Sequence, residues 1–139
     1  MKWSKEEVEA KLAEIIAEVT GFEPEEIQAE DSLSEDIGIE SFDIVDINFR
    51  VEQVFGVKIG DGMFCNFRDI FENPKLIDEN NFLTPEGIQE MKRRIPDLDS
   101  SNEIENEGQI SFAAMLAQVK VHHFVHFIEM QLAESDDTP

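Results

Sequence analysis

Apolar residues in this chain recur at steps of three and four, in stretches with marked starts and stops, and that spacing commits it to helices. Ser4 with Glu7 forms a capping-box signature, after which Val8, Leu12, Ile15, Ile16 and Val19 share one face. Gly21 is the stop, and Pro24 keeps the chain from resuming the helix at once. Residues 21–40 read as a long connection pinned by Phe22, Ile27, Leu33 and Ile37. A second helix is predicted from Ser41 to about Phe55, ended by Gly56, with Val57 to Ile59 as a short extended exit. From Gly60 to Leu83 the pattern is irregular and rich in Phe, with a short helix expected around 66–72. Thr84-Pro85-Glu86 starts a further helix carrying Ile88, Met91 and Ile95, which Pro96 terminates. Residues 97–109 contain few apolar side chains and five acids, and read as a mobile linker. The last helical segment is expected from Ser111, broken near Val119, with Val121, Phe124, Val125, Ile128 and Leu132 as its stripe and a fraying tail from Glu134. Four to five helices and no sheet make the expected fold an all-α bundle.

The 139 residues, 41% of them hydrophobic, suit one compact domain with a small core. Eleven Lys and Arg stand against 32 Asp and Glu, a net charge of −21. That excess argues against nucleic acid, whose phosphates demand cationic neutralisation, and against an anionic membrane surface. It favours basic protein partners met through electrostatic steering. Residues 1–56 are the most acidic part, with 4 basic and 16 acidic side chains. The single Cys65 excludes an internal disulfide. The N-terminus lacks a signal-peptide run, and no stretch of about 18 apolar residues is present to insert in a bilayer. The expectation is a monomeric, cytoplasmic protein.

On a helical wheel, Ile44, Ile47, Val51, Val54 and Phe55 form a core-facing stripe, while Phe42, Val45 and Phe49 fall nearly opposite. Asp43, Asp46, Glu52 and Gln53 lie around or between these faces. A second apolar face either packs against the Phe-rich stretch of the same chain or is kept for a visitor. Ser41 sits at the N-terminal edge of this helix, either as its N-cap or where unpaired N–H groups would favour a phosphate ester.

The run Asp31-Ser-Leu-Ser-Glu-Asp-Ile-Gly-Ile-Glu-Ser-Phe-Asp-Ile-Val-Asp-Ile, continuing to Glu52-Gln-Val-Phe-Gly-Val-Lys-Ile, resembles the acyl carrier proteins. Their pattern is acidic-apolar-Gly-x-Asp-Ser-Leu-Asp, followed by an acidic helix ending in Glu-Phe and a short apolar exit. The match runs without a gap from Ser32 to Ile59, extends over residues 1–59 with the first helix and Pro24-Glu-Glu-Ile, and returns at Val121 to Glu129. The resemblance implies that Ser41 carries a covalent 4′-phosphopantetheine arm, attached by a separate phosphopantetheinyl transferase that consumes coenzyme A. The arm's thiol would hold acyl groups as thioesters for fatty-acid or specialised lipid synthesis, lipid A among the candidates. Asp36, Gly38 and Asp43 match position for position, whereas Glu40 replaces the usual Asp and Phe42 the usual Leu. The resemblance makes Glu40, Phe42, Asp43, Asp46, Phe49 and Glu52 the recognition face for acyl-transfer and lipid-synthesis enzymes bearing basic docking patches. Arg50 departs from a purely acidic face.

The chain is longer than an ordinary carrier. The expected organisation is a carrier core of 1–59 and 111–134, an insertion over 60–96 and an acidic linker over 97–110. The insertion holds Met63, Phe64, Phe67, Ile70, Phe71, Leu76, Ile77, Phe82 and Leu83, enough for a second apolar layer that enlarges a pocket or shapes a dedicated interface. A peptidyl or aminoacyl carrier, or an unmodified acidic interaction module, are the alternatives to an acyl carrier.

His122, His123 and His126 raise a metal hypothesis, with 122 and 126 one turn apart. Zinc needs three or four ligands and no further partner is visible beyond Cys65, so these histidines read as neighbours of Phe127 and Met130. Ile39-Glu40-Ser41-Phe42-Asp43 is not a hydrolase elbow, and no His in its region can serve as base, so no enzymatic activity is expected. Asp97-Leu-Asp-Ser-Ser101 hints at a calcium loop but fails at the Gly and Glu positions. Trp3 and Cys65 read as fillers.

Overall fold

The computed structural model describes residues 3–60, 63–98 and 110–136, with backbone alone for 135 and 136. Among these residues are six α-helices: α1 (Lys5–Thr20), α2 (Ser41–Phe55), α3 (Arg68–Phe71), α4 (Pro85–Arg94), α5 (Phe112–Ala117) and α6 (Val121–Asp136), plus a 3-10 turn at Pro24–Glu26. The fold is all-α, as the spacing predicts. Only isolated bridges join extended residues. The count exceeds four to five because the last segment is two helices, separated at residues 118–120.

The chain divides into two compact units, Met1–Asn66 with Lys120–Pro139, and Phe67–Val119. In the first, α1 packs on α2 and α6. Ser4 and Glu7 close their capping box, with Ser4 N–H donating to Glu7 at 2.9 Å and Glu7 N–H to Ser4 Oγ at 3.1 Å. Val8, Leu12, Ile15 and Ile16 of α1 are buried, as are Ile44, Ile47, Val51 and Phe55 of α2 and Val121, Phe124, Val125 and Ile128 of α6. Leu132 is half-buried. Two expectations for the apolar stripes are corrected. Val54, at the rim of its arc, is 38% exposed, and Phe22 does not pin the connection because it too is exposed. Leu33 and Ile37 do anchor that connection. Trp3 stacks edge-on against Phe55, ring centroids 4.6 Å apart.

The most informative departure is Asn48. It falls within the buried arc of α2 and is 1% exposed. Its Nδ2 donates to the Ile44 carbonyl at 2.8 Å and the Phe64 carbonyl at 3.0 Å, and its Oδ1 accepts from Phe64 N–H at 3.0 Å. A buried amide survives only when so satisfied. The Phe64 ring then meets Phe124 at 4.5 Å and Phe127 at 5.3 Å. The connection preceding α2 is tied in turn to the start of α6: Val121 N–H donates to Asp31 and His122 N–H to Ala29, both at 3.0 Å.

In the second unit Thr84 caps α4, its Oγ1 accepting from Gly87 N–H at 3.0 Å. Gly87 is required by proximity: a Cβ there would lie 2.0 Å from the Leu76 carbonyl oxygen. Ser111 caps α5 through Ala114 N–H at 3.1 Å. Phe67, Ile70, Ile77, Leu83, Met91 and Phe112 are buried, whereas Phe71 is exposed. Of the expected linker, 99–109 lies outside the described residues, as does the end of the Asp97–Ser101 calcium motif. Leu98 and Ile110 at its margins are buried.

Candidate functional site

The approach to α2 folds on itself before the helix begins. Asp36 accepts from Ser32 N–H at 2.7 Å, while the Ser32 carbonyl accepts from Asp36 and Ile37 at 3.0 and 3.1 Å. Gly38 turns at φ 78°, a left-handed conformation that side chains with a Cβ adopt at a cost, and Ile39 N–H returns to the Leu33 carbonyl at 2.9 Å. Leu33 and Ile37 are buried, so the turn delivers residues 40 and 41 to the surface from a fixed base.

The residue at the N-cap is Glu40 and not Ser41. Glu40 N–H donates to Asp43 Oδ2 at 3.0 Å, and its carbonyl accepts the first helical bond, from Ile44 N–H at 3.1 Å. Capping is thereby carried by Glu40 and Asp43, and Ser41 becomes the first helical residue, exposed. Among the described residues no hydrogen bond engages its hydroxyl. The amides of the first helical turn have no partner within the helix, and the local dipole is positive, so the position suits a phosphate ester. Cap and attachment point were alternatives for Ser41 in the sequence; the fold gives the cap to Glu40.

Phe42, Val45 and Phe49 are 69%, 48% and 62% exposed. They follow one another at helical steps of three and four, so the second apolar face of α2 is open to solvent rather than buried within the chain. Around it, Asp43, Asp46 and Glu52 are half-buried and Glu40 is exposed. Arg50 does not stand among them as a free cation: it donates to Asp46 at 2.8 Å and to Glu18 of α1 at 2.7 Å. The hydrogen bond to Asp46 and that residue's negative charge, with Glu18 beyond it, hold the guanidinium pKa further up. The sequence-predicted residues Glu40, Ser41, Phe42, Asp43, Asp46, Phe49 and Glu52 thus lie on a single helix and its cap. Val45 extends their apolar part, a membership its place on the wheel signals. Glu18 had no local signal, because it arrives from another helix.

The rings of His122 and His123 lie 4.2 Å apart, but the two side chains take different partners. His122 Nε2 lies 3.9 Å from Glu30, His123 is buried with its Nδ1 accepting from Lys120 N–H at 2.9 Å, and His126 is exposed. Among the described residues no three His, Cys, Asp or Glu side chains are grouped to hold a metal ion. Met130 is exposed, and Phe127 packs on Phe64 and Phe124. Cys65 is half-buried, and burial pushes its thiol pKa up, away from reactivity. No helix among the described residues is long and apolar enough to cross a membrane.

Residues 10–76 match the family model described as "Phosphopantetheine attachment site". The meromycolate extension acyl carrier protein of Mycobacterium leprae is 36% identical over 95 residues, 68% of this chain and 83% of that protein. That of Mycolicibacterium aurum is 35% identical over 94 residues, covering 68% and 97%. The acyl carrier protein of Micrococcus luteus is 40% identical over 75 residues, covering 54% and 93%.

Proposed function

The chain belongs to the acyl carrier protein family, and from that premise we propose that Ser41 is where its phosphopantetheine arm is attached. One observation carries the assignment: Ser41 is exposed at the first position of α2, inside the matched segment, with its hydroxyl released from capping by Glu40 and Asp43. A transferase has an unencumbered oxygen to reach, on a helix whose base is anchored by Leu33 and Ile37. The arm, when attached, supplies a thiol for thioesters. The chain's own residues present it and offer the surface by which enzymes find it; among the described residues no side chain bonds the Ser41 hydroxyl to activate it, and the chemistry is assigned to those enzymes.

Glu40, Phe42, Asp43, Asp46, Phe49 and Glu52 are the proposed recognition face. Carboxylates set the rate of encounter with a basic docking patch, and the two exposed rings extend the lifetime of the contact. The cargo is proposed to be an acyl chain under extension, as the names of the mycobacterial relatives indicate for those proteins, in preference to a lipid A precursor. The insertion between α2 and α6 is proposed to adapt the carrier to that cargo. Loading chains of increasing length and following thermal stability tests the adaptation: a gain that grows with length supports it, and a flat response beyond short chains removes it.

The attachment itself is tested by incubation with coenzyme A and a phosphopantetheinyl transferase, read by intact mass. One added phosphopantetheine on the wild type and none on Ser41→Ala is the expected result. Addition to Ser41→Ala would move the site elsewhere, and refusal of the wild type by every transferase tried would leave an unmodified interaction module.

A further inference from the structure

The unit Phe67–Val119 carries a surface of opposite character to α2. Arg94, at the end of α4, donates to Glu90 at 2.7 Å and to both carboxylate oxygens of Asp69 on α3, one at 3.1 Å. Glu90 also accepts two bonds from Arg93, at 2.9 and 2.6 Å. These bonds fasten the last turn of α4, Lys92-Arg93-Arg94, to the single turn of α3. There, Arg68 bonds Glu72 at 2.9 Å with its side chain 85% exposed, and Arg93 is 70% exposed. Phe71 is half exposed, its ring braced edge-on against Phe112 at 4.3 Å. It is the one large apolar side chain exposed in this unit among the described residues.

Residues 68–72 and 90–94 together hold four cations, Arg68, Lys92, Arg93 and Arg94, against three acids, Asp69, Glu72 and Glu90, in a chain of net charge −21. A braced aromatic ring loses little freedom on binding, and an aromatic anchor with arginines around it is the composition of an interface hot spot. Four cations are too few to hold a polyanion against the charge of the remaining chain, which rules out nucleic acid and anionic lipid. A second copy would bring acids, but around Phe42 and Phe49, which are themselves exposed rings, and two chains of −21 repel.

We propose that the α3–α4 end of this unit docks a protein partner offering an apolar pocket rimmed by carboxylates, with Phe71 in the pocket and Arg68, Lys92 and Arg93 on the rim. The proposal is independent of the assignment of Ser41. A photoreactive phenylalanine analogue placed at position 71, in the full chain in its native host, tests it against the same analogue at the exposed position 22. The expected result is a cross-linked protein at 71 only, joined through a segment containing Asp or Glu. Its yield should fall about tenfold with Lys92→Glu plus Arg93→Glu and hold with Lys92→Arg plus Arg93→Lys, circular dichroism showing all chains folded. The same product should form in a Ser41→Ala chain. A product equal at both positions, one indifferent to charge reversal, one consisting of a second copy or of lipid, or no product at 71 would each overturn the proposal.

Discussion

Helices α2 and α4 use charge in opposite ways. In α2 the apolar side chains occupy two faces, one buried and one open, and the open face is ringed by carboxylates of which Asp46 alone is tied to an arginine on the same helix. In α4 only Gly87 and Met91 are buried, and Glu90, Arg93 and Arg94 of its second half are bound to one another and, through Arg94, to Asp69 of α3. The first helix leaves negative potential available to visitors; the second ties Glu90 and Arg94 inside its own unit and leaves Lys92 and the outer side of Arg93 exposed. Burial alone does not tell the two apart. What separates them is whether a charged group already has a partner in the chain.

The largest effect expected from a single change is on the buried face of α2. Ile47→Ala should destabilise the chain by about 2–5 kcal/mol, because Ile47 is fully buried and leaves a cavity. Chemical denaturation measures it, and a loss near zero would mean that this face is not the core. Asn48→Ala comes next, at about 1–3 kcal/mol, since it orphans the Phe64 amide and carbonyl in the interior. Heteronuclear NMR of the Phe64 amide would show whether the tie has opened.

Glu90 gives the corresponding measurement on α4. Hydrogen bonds from Arg93 first and Arg94 second hold its carboxyl down at about 2, against an ordinary 4.5. A lowered folded-state value means that its stabilisation is fully present above about pH 4.5 and is lost as pH falls toward 2. Wild type should therefore exceed Glu90→Gln in melting temperature at pH 6, by less than about 1 kcal/mol in stability because Arg93, its first partner, is largely solvated, and the gap should close near pH 2. A gap that widens on acidification would contradict the pairing. The smallest stability change belongs to the open face of α2: Phe49→Ala should shift stability by no more than about 0.5 kcal/mol. The same variant should raise the KM of an acyl-transferring enzyme about tenfold at unchanged kcat, whereas an unchanged KM would remove Phe49 from the recognition face.

Much of the first unit was legible before any coordinates. The Ser4 and Glu7 box, the Gly21 stop and the Ser41–Phe55 limits of α2 all depend on residues within a few positions of one another, so a linear reading captures them. The proposed site was legible as a motif around Ser41 because the pattern that marks it is local in the chain. The second unit was less so. Its short α3 falls inside the helix expected around 66–72, but the bridges Ile77 with Leu83 and Phe82 with Ser111 join residues through pairings that no periodicity announces.

The sequence by itself determined the helices of the carrier core, the excess of acid and the two apolar faces of α2, since each follows from short-range order and composition. Only the tertiary structure decided that the second of those faces stays open, that Glu40 rather than Ser41 caps the helix, that Asn48 is an interior clamp on Phe64, and that Arg50 reaches Glu18. Those outcomes depend on which distant groups arrive beside a residue, and a buried polar atom or a paired charge acquires its energy from that neighbour and not from its own position in the chain.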